Sequence, residues 1–211
     1  AMAAAGCAVH GVDMVQAGDV SSAFALVRPP GHHASRQRGM GFCLFNNVAI
    51  AAMHALDAHG LERVVIVDFD AHHGNGTQDA FYADPRVLYF STHLSPFFPG
   101  TGHARETGVG AGLGYTINVP LPYAVGDAGF ERAYSDVLAP AATRFRPQLM
   151  LVSAGYDVHW ADPLTDMAVS TSGIARVVRI IVELAQTLCE GRVVFVLEGG
   201  YRRAALADGV A

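Results

Sequence analysis

A short apolar run, residues 64–67, is followed at once by a cluster of polar residues, 68–76, with the sequence DFDAHHGNG. An uninterrupted run of Val and Ile predicts a strand buried on both faces, as in a parallel sheet. Sites in open α/β sheets form at the carboxyl ends of strands. Asp70 and His72 are two residues apart, so in an extended segment both side chains can reach one cation. The alternative, a helix cap at Asp70 before a Gly-Asn-Gly turn, accounts for neither histidine.

Three further strand-like runs also lead into polar residues. The runs cover residues 24–27, 149–153 and 193–197. The polar residues that follow them are, in order, His32 and His33, Asp162, and Tyr201. Taken singly, each has an ordinary structural explanation, such as a turn residue or a half-buried aromatic ring. Four such groups at four strand ends predict one shared site.

The order of elements predicts an α/β fold with three layers, α/β/α. Further strands are predicted at residues 87–90 and 115–119, and helices at residues 3–17, 45–59, 127–145 and 172–190. Alternation of strands and helices with short links predicts a mainly parallel sheet covered on both faces. The chain of 211 residues is 51% hydrophobic and 16% charged, which indicates a single domain over residues 1–211 with a large core.

Composition also limits which binding partners and which cellular compartment we expect for this protein. The formal net charge of -5 argues against a nucleic-acid surface, because such surfaces rely on Lys and Arg. No apolar run reaches membrane-spanning length, so we expect no membrane partner. The cysteines are three in number and widely spaced, which is typical of reduced thiols in the cytoplasm.

Together with other motifs, these residues resemble the metal-dependent histone deacetylase family, which includes bacterial acetylpolyamine amidohydrolases. The motifs are residues 28–33 (RPPGHH), 39–43 (GMGFC), 68–76, 98–102 (FPGTG), 157–163 (DVHWADP) and 198–201 (EGGY). Asn75 and the Leu-Glu-Gly-Gly-Tyr run are similar to the class II branch and its bacterial relatives. The resemblance implies an arginase/deacetylase-like fold and a deacetylase catalytic domain whose N- and C-terminal parts are missing.

The resemblance implies a zinc site with Asp70, His72 and Asp162 as ligands. An open coordination position would admit a water molecule and the substrate carbonyl. Two carboxylates and one imidazole also suit Fe²⁺ or Co²⁺. The implied reaction is hydrolysis of the amide of acetyl-lysine or of an acetylated polyamine by a metal-activated water. The expected partner is therefore a small acetylated amine or an acetyl-lysine peptide.

The resemblance also implies roles for the other polar residues. His33 matches the general base and His32 its electrostatic partner. Asp68 would orient His32, and Asn75 would lie behind His33. Because an amide adds no negative charge, we expect Asn75 to hold the pKa of His33 low. Tyr201 would donate its hydroxyl to the oxyanion.

Two further sites are implied by resemblance alone. Gly41, Phe42 and Phe98 match a narrow tunnel that holds the aliphatic stem of acetyl-lysine. A structural potassium site is implied by residues Asp68, Asp70, His72, Ser91 and Thr92.

Three alternatives to a deacetylase need weighing. Arginase-like ureohydrolases bind two manganese ions, but Gly74 and Gly155 stand where the additional ligands would be needed. A catalytically inactive metal- or acyl-binding relative is one other alternative, and a deacylase for longer acyl groups is another.

Missing parts of the sheet would expose a strand edge, so a homo-oligomer is also an expectation.

Overall fold

The computed structural model describes residues 1–211 as six parallel strands in one sheet, with helices on both faces. The strands are β1 (Ser22–Ala25), β2 (Val64–Asp68), β3 (Val87–Leu94), β4 (Thr116–Leu121), β5 (Leu149–Ala154) and β6 (Val193–Leu197). Their order in the sheet is β1-β6-β5-β2-β3-β4, and every neighbouring pair is parallel. This confirms the predicted three-layer α/β fold with a parallel sheet.

Seven α-helices cover the sheet. They are α1 (Met2–Ala17), α2 (Asn47–Asp57), α3 (Asn75–Phe81), α4 (Gly126–Arg132), α5 (Ala139–Phe145), α6 (Thr171–Leu188) and α7 (Arg203–Val210). A π-helical segment, Ala133–Leu138, joins α4 and α5 into one continuous helical run, where sequence predicted one helix. None of the helices combines the length and apolar character that crossing a bilayer requires.

The sheet separates two hydrophobic cores. On β2, Val65 and Val67 pack on the side of α4, α5 and α6, while Val64 and Ile66 pack on the side of α1 and α2. All four side chains are fully buried. This is why the strand is an unbroken apolar run rather than an alternating one.

Several element boundaries differ from the sequence predictions by a few residues, and two helices were not predicted. The run at residues 24–27 was expected as a strand, but β1 pairs with β6 from Ser22 opposite Val193 to Ala25 opposite Val196. Backbone register, rather than side-chain hydrophobicity, sets these limits. Helices α3 and α7 were not predicted, because short segments that contain glycine have weak helix propensity.

The strand order places the predicted polar groups together. The four apolar runs that lead into polar residues became β1, β6, β5 and β2, which are consecutive neighbours in the sheet. In the register, Ala154 at the end of β5 pairs with Leu197, and Asp68 at the end of β2 pairs with Ser153. All four strands therefore deliver their polar residues to one edge.

Asp127 anchors the start of α6 to the first turn of α4. Its Oδ1 accepts a hydrogen bond from the backbone N–H of Ser170 at 2.7 Å, and its Oδ2 accepts one from the Ser170 hydroxyl at 2.6 Å. Arg176 donates a further bond to Oδ2 at 3.0 Å. Burial opposes ionisation of Asp127, but the bonds from Ser170 and Arg176 outweigh it and lower its pKa.

We expect Asp127→Asn to lower the free energy of unfolding by about 1–3 kcal/mol near neutral pH, because charge-assisted bonds are lost. The folded pKa of Asp127 lies below its unfolded value, so its contribution is present above the unfolded pKa and disappears as pH falls through the folded one. Urea unfolding at neutral and acidic pH measures both effects.

Asp136→Asn is the matched control, since Asp136 is exposed and paired only with Arg132 and Ser135 of the same helical run. It should change stability less than Asp127→Asn. A difference between wild type and Asp127→Asn that does not shrink in acid would contradict this account of Asp127.

Candidate active site

Asp70, His72 and Asp157 form a tight cluster at the carboxyl ends of β2 and β5. Nδ1 of His72 lies 3.0 Å from Oδ1 of Asp70 and 3.0 Å from Oδ2 of Asp157. Each residue offers one ligand atom, and these atoms lie within 4.8 Å of one another. Oδ2 of Asp157 is buried and receives no aligned hydrogen bond. An unpaired buried carboxylate oxygen is costly unless a cation meets it, so the residues fit a metal ion.

The electrostatics of this cluster also favour positive charge. Burial and the neighbouring charge of Asp70 raise the pKa of Asp157. Burial opposes protonation of His72, but Asp157 and Asp70 outweigh it and raise the pKa of His72 to about 10. One imidazole and two carboxylates form a ligand set that Zn²⁺ accepts with a coordination position left open.

Asp162, the third ligand expected from the resemblance, is not part of this cluster, and Asp157 stands in its place. Oδ1 of Asp162 accepts a hydrogen bond from the backbone N–H of Leu164 at 3.0 Å, and Oδ2 accepts one from that of Tyr201 at 2.8 Å. The physical reason is local: a single 3₁₀ turn, Tyr156–Val158, follows β5 closely and delivers Asp157 to the sheet edge. This corrects the expected ligand set.

Glycine at two positions leaves no room for the ligands of a second metal ion. A Cβ on Gly155 would collide with Asp70, and a Cβ on Gly74 would collide with Asp68 and with the hydroxyl of Tyr89. Neither position can carry a carboxylate without moving a buried side chain. The cluster is therefore suited to one ion, which disfavours the two-metal chemistry of ureohydrolases.

His32 is held between two carboxylates. Its Nδ1 is 3.0 Å from Oδ2 of Asp68, and its Nε2 is 3.8 Å from Oδ1 of Asp70. The Tyr89 hydroxyl donates to the same Asp68 oxygen at 3.1 Å, which fixes that carboxylate. Burial opposes protonation of His32, but Asp68 and Asp70 raise its pKa well above the usual value. His32 therefore carries positive charge near neutral pH.

His33 lies beside His32, with ring centroids 4.1 Å apart, but its pKa is shifted in the opposite direction. Its Nδ1 donates to Oδ1 of Asn75 at 2.9 Å, so Nε2 holds the lone pair. Burial and the charge of His32 lower the pKa of His33 to about 3. The pKa of His33 is low, as expected from the sequence, but the expected cause is wrong: burial and the charge of His32 lower it, whereas the hydrogen bond to Asn75 raises it.

Arg28 fixes the turn that carries Tyr201. Its guanidinium donates to the carbonyl oxygen of Glu198 at 2.8 Å and to that of Gly200 at 2.9 Å. The same guanidinium lies 5.6 Å from the centroid of the Tyr201 ring. Burial and the charge of Asp70 raise the pKa of Tyr201, so its hydroxyl stays protonated and can donate a hydrogen bond.

Glu198 is a buried carboxylate to which the sequence analysis assigned no role. Its Oε2 accepts hydrogen bonds from the backbone N–H groups of Gly31 at 2.7 Å and His32 at 3.1 Å, and its Oε1 accepts one from Ser153 at 3.0 Å. Burial raises the pKa of Glu198 to about 7. It holds the histidine loop against the sheet. The available signal was its place directly after a predicted strand, which it shares with Asp68.

Two aromatic side chains stand at the mouth of the cavity that these residues line. Phe42 and Phe98 are 71% and 46% exposed, which excludes ordinary core packing. The ring centroid of Phe98 lies 5.1 Å from that of His33, and Phe42 lies 6.1 Å from Tyr201. Leu164, which the sequence analysis did not single out, lines the same cavity.

Gly41 allows the chain to pass close to the ring of His33. Its φ of 54° lies in the left-handed region, and a Cβ at this position would collide with the imidazole ring of His33. The Cys43 thiol donates to the Gly41 carbonyl oxygen at 3.3 Å. A glycine is thus required where the chain passes the ring of His33.

The residues expected to hold potassium are only partly brought together. Ser91 pairs with Asp68 in the register of β3 and β2. The hydroxyl of Thr92, however, is 2.7 Å from the hydroxyl of Tyr134, and that of Ser91 is 3.0 Å from Nδ1 of His93. Backbone oxygens of Thr92 rather than its side chain would have to serve a cation here.

The geometry agrees with comparisons to known proteins. The family model described as the histone deacetylase domain matches residues 1–211 of this chain. A solved structure, described as the crystal structure of the HDA15 HD domain, matches with a TM-score of 0.91 and 41% identity, over 98% of this chain and 60% of that one. The chain therefore belongs to the histone deacetylase family.

Individual relatives carry several deacetylase names. A probable deacetylase of Archaeoglobus fulgidus is 47% identical over 201 residues, which is 95% of this chain and 56% of that protein. Histone deacetylase 10, chloroplastic, of Oryza sativa is 52% identical over 188 residues, 89% of this chain and 42% of that protein. Polyamine deacetylase HDAC10 of Homo sapiens is 46% identical over 213 residues, which is 98% of this chain and 31% of that protein. The chain spans about half the length of the first two relatives.

We expect Asp157→Ala to lose one bound zinc ion per chain relative to wild type, whereas Asp162→Ala should retain it. The reason is that Oδ2 of Asp157 lies 3.0 Å from Nδ1 of His72, whereas both oxygens of Asp162 accept backbone hydrogen bonds. Zinc content after removal of loosely bound metal, measured by mass spectrometry, separates the two variants. Loss of zinc from Asp162→Ala with retention by Asp157→Ala would contradict the assignment.

Proposed function

We propose that this chain belongs to a metal-dependent deacetylase that hydrolyses the amide of acetyl-lysine or of an acetylated polyamine. The single observation that supports it best is the convergence of the Asp70, His72 and Asp157 cluster with the adjacent histidines His32 and His33. A tyrosine hydroxyl completes the set around one small cavity. Metal-assisted amide hydrolysis uses a Lewis acid, a base and an oxyanion donor, and each has a residue here.

The metal ligands would be Asp70, His72 and Asp157. A bound zinc ion would polarise the amide carbonyl and acidify a water molecule for attack. Fe²⁺ and Co²⁺ suit the same two carboxylates and one imidazole. The backbone N–H of Gly199 donates to Oδ2 of Asp70 at 2.7 Å, and that of Ala71 donates to Oδ1 of Asp157 at 3.0 Å. Oδ1 of Asp70 also accepts the backbone N–H of His72 at 2.9 Å, whereas Oδ2 of Asp157 accepts no backbone N–H. Both of these oxygens face Nδ1 of His72 and would share the ion with it.

His32 and His33 have different roles in the proposed reaction. His33 is neutral and its Nε2 is free, so it accepts the proton of the attacking water and later donates it to the leaving amine nitrogen. His32 is positively charged and bound to Asp68, so it stabilises negative charge that develops beside it. Glu198 holds the loop that carries them through the backbone N–H groups of Gly31 and His32.

Tyr201 donates its hydroxyl to the former carbonyl oxygen as negative charge develops there. Its raised pKa keeps the proton on the phenol, and the bonds from Arg28 keep the turn rigid. Preorganised donors of this kind are effective because they need no reorganisation during the reaction.

The substrate class follows from the walls of the cavity. Phe42, Phe98 and Leu164 present apolar surface that suits the aliphatic stem of an acetylated amine. The net charge of -5 mildly favours cationic substrates, such as lysine-rich peptides and polyamines. Both substrate types occur among the names of the relatives.

Two further expectations belong to this proposal. We expect a structural potassium ion near Asp68 and Ser91, which lie side by side in the sheet. We also expect a reducing, cytoplasmic compartment, and this is supported by the free thiols of Cys7, Cys43 and Cys189.

Turnover of a fluorogenic acetyl-lysine amide and of an N-acetylated polyamine by the zinc-loaded protein tests the proposal. Tyr201→Phe should lower kcat by roughly 100- to 1,000-fold, since one oxyanion donor contributes about 3 kcal/mol. Zinc content should stay unchanged, because the phenol is not a ligand. Chelation should abolish turnover of both substrates.

Tyr123→Phe is the matched control, since the Tyr123 hydroxyl is exposed and donates to a carbonyl oxygen outside the cavity. Its kcat should equal that of wild type. Turnover that survives chelation, or an equal effect of the two Tyr→Phe changes, would overturn the proposed function.

A further inference from the structure

A second cluster of metal-ligating side chains lies outside the active site. It consists of Asp13 from α1, His54 from the last turn of α2 and His59 just beyond that helix. Nε2 of His54 is 2.6 Å and Nε2 of His59 is 2.8 Å from the same carboxylate oxygen, Oδ1 of Asp13. The two imidazole rings meet edge to face, with centroids 5.2 Å apart. The three ligand atoms therefore lie within 4.8 Å of one another.

This cluster is separate from the catalytic residues. The first residue of α2, Asn47, hydrogen-bonds to Pro29 beside the histidine loop, at 3.1 Å. His54 and His59 lie towards the opposite end of α2, so the rise of the helix puts them roughly 10–15 Å further along its axis. His54 and His59 are each 28% exposed and Asp13 is 46% exposed. An ion can thus enter from solvent without disturbing the active site.

The chemistry of the ligand set selects a class of ion. Two imidazoles and one carboxylate suit Zn²⁺, Co²⁺, Ni²⁺ or Cu²⁺ and suit Ca²⁺ or Mg²⁺ poorly, because the latter prefer oxygen ligands. A simple hydrogen-bonded contact is the competing explanation. A hydrogen-bonded contact needs only one histidine. Here His54 and His59 both point their Nε2 atoms at one oxygen of Asp13, and neither forms another side-chain hydrogen bond.

The position of the cluster gives it a structural purpose. Helix α1 is attached to the sheet mainly through small side chains, since its buried residues are Ala4, Ala5, Ala8, Gly11, Val12 and Val15. Small side chains bury little apolar area each, so an added link to α2 would strengthen the attachment of this helix. A metal ion shared by Asp13 and the two histidines would link α1 to the carboxyl end of α2.

We propose that Asp13, His54 and His59 form a second divalent-metal site, which takes Zn²⁺ or a similar transition-metal ion and ties α1 to α2. The proposal is independent of the proposed function, because none of these residues contacts the catalytic cavity. An ion at this site would stabilise the folded protein by mass action, in proportion to the logarithm of its free concentration.

The test is the number of Zn²⁺ ions bound per chain after dialysis against micromolar free Zn²⁺. Wild type should bind two, and the double variant His54→Gln/His59→Gln should bind one. His10→Gln is the matched control, since His10 is an exposed histidine of α1 outside the cluster, and it should still bind two. Asp13→Asn, which changes the side-chain shape little, should also bind one Zn²⁺ ion per chain.

Thermal unfolding adds a readout that does not depend on turnover. Added Zn²⁺ should raise the Tm of wild type more than that of the double variant, while both should hydrolyse acetyl-lysine equally. Asp157→Ala should lose the other ion and keep the one at the cluster, so failure at either site is distinguishable. Equal zinc counts and equal Tm shifts in wild type and in the two cluster variants would overturn the proposal.

Discussion

Buried negative charge at the carboxyl ends of β2, β5 and β6 is the constraint on which the rest of this structure depends. Asp68, Asp70, Asp157 and Glu198 are all at most 1% exposed. Each such charge costs several kcal/mol unless it is paired or hydrogen-bonded. Asp68 is paired with His32, Glu198 accepts backbone N–H groups of the histidine loop, and Asp70 shares His72 with Asp157. Oδ2 of Asp157 accepts no aligned hydrogen bond and faces Nδ1 of His72 at 3.0 Å, which is where we propose that a metal ion binds.

Much of the fold could be predicted from the sequence, because apolar runs and strand ends are local signals. Every predicted strand exists, and the four runs that lead into polar residues are consecutive neighbours in the sheet. The residual errors have physical causes. The limits of β1 depend on its register with β6, and α3 begins at Asn75 next to two glycines, where the local signal favours a turn.

The site could be predicted in part. Asp70 and His72 are two residues apart on one segment, so their convergence follows from sequence alone. The choice between Asp157 and Asp162 does not, because it depends on a 3₁₀ turn after β5 and on which backbone N–H groups occupy each carboxylate. Contacts between distant segments, such as Asp13 with His54, carry no local signal either.

Anomalous diffraction at the zinc absorption edge, from crystals of the zinc-loaded protein, tests the central claim most directly. The account predicts a peak about 2.0–2.2 Å from a carboxylate oxygen of Asp70, from Nδ1 of His72 and from Oδ2 of Asp157. Asp162 should remain bound to the backbone N–H groups of Leu164 and Tyr201. A peak coordinated by Asp162, or the absence of any peak among the three ligands, would contradict the claim that buried charge at these strand ends builds the metal centre.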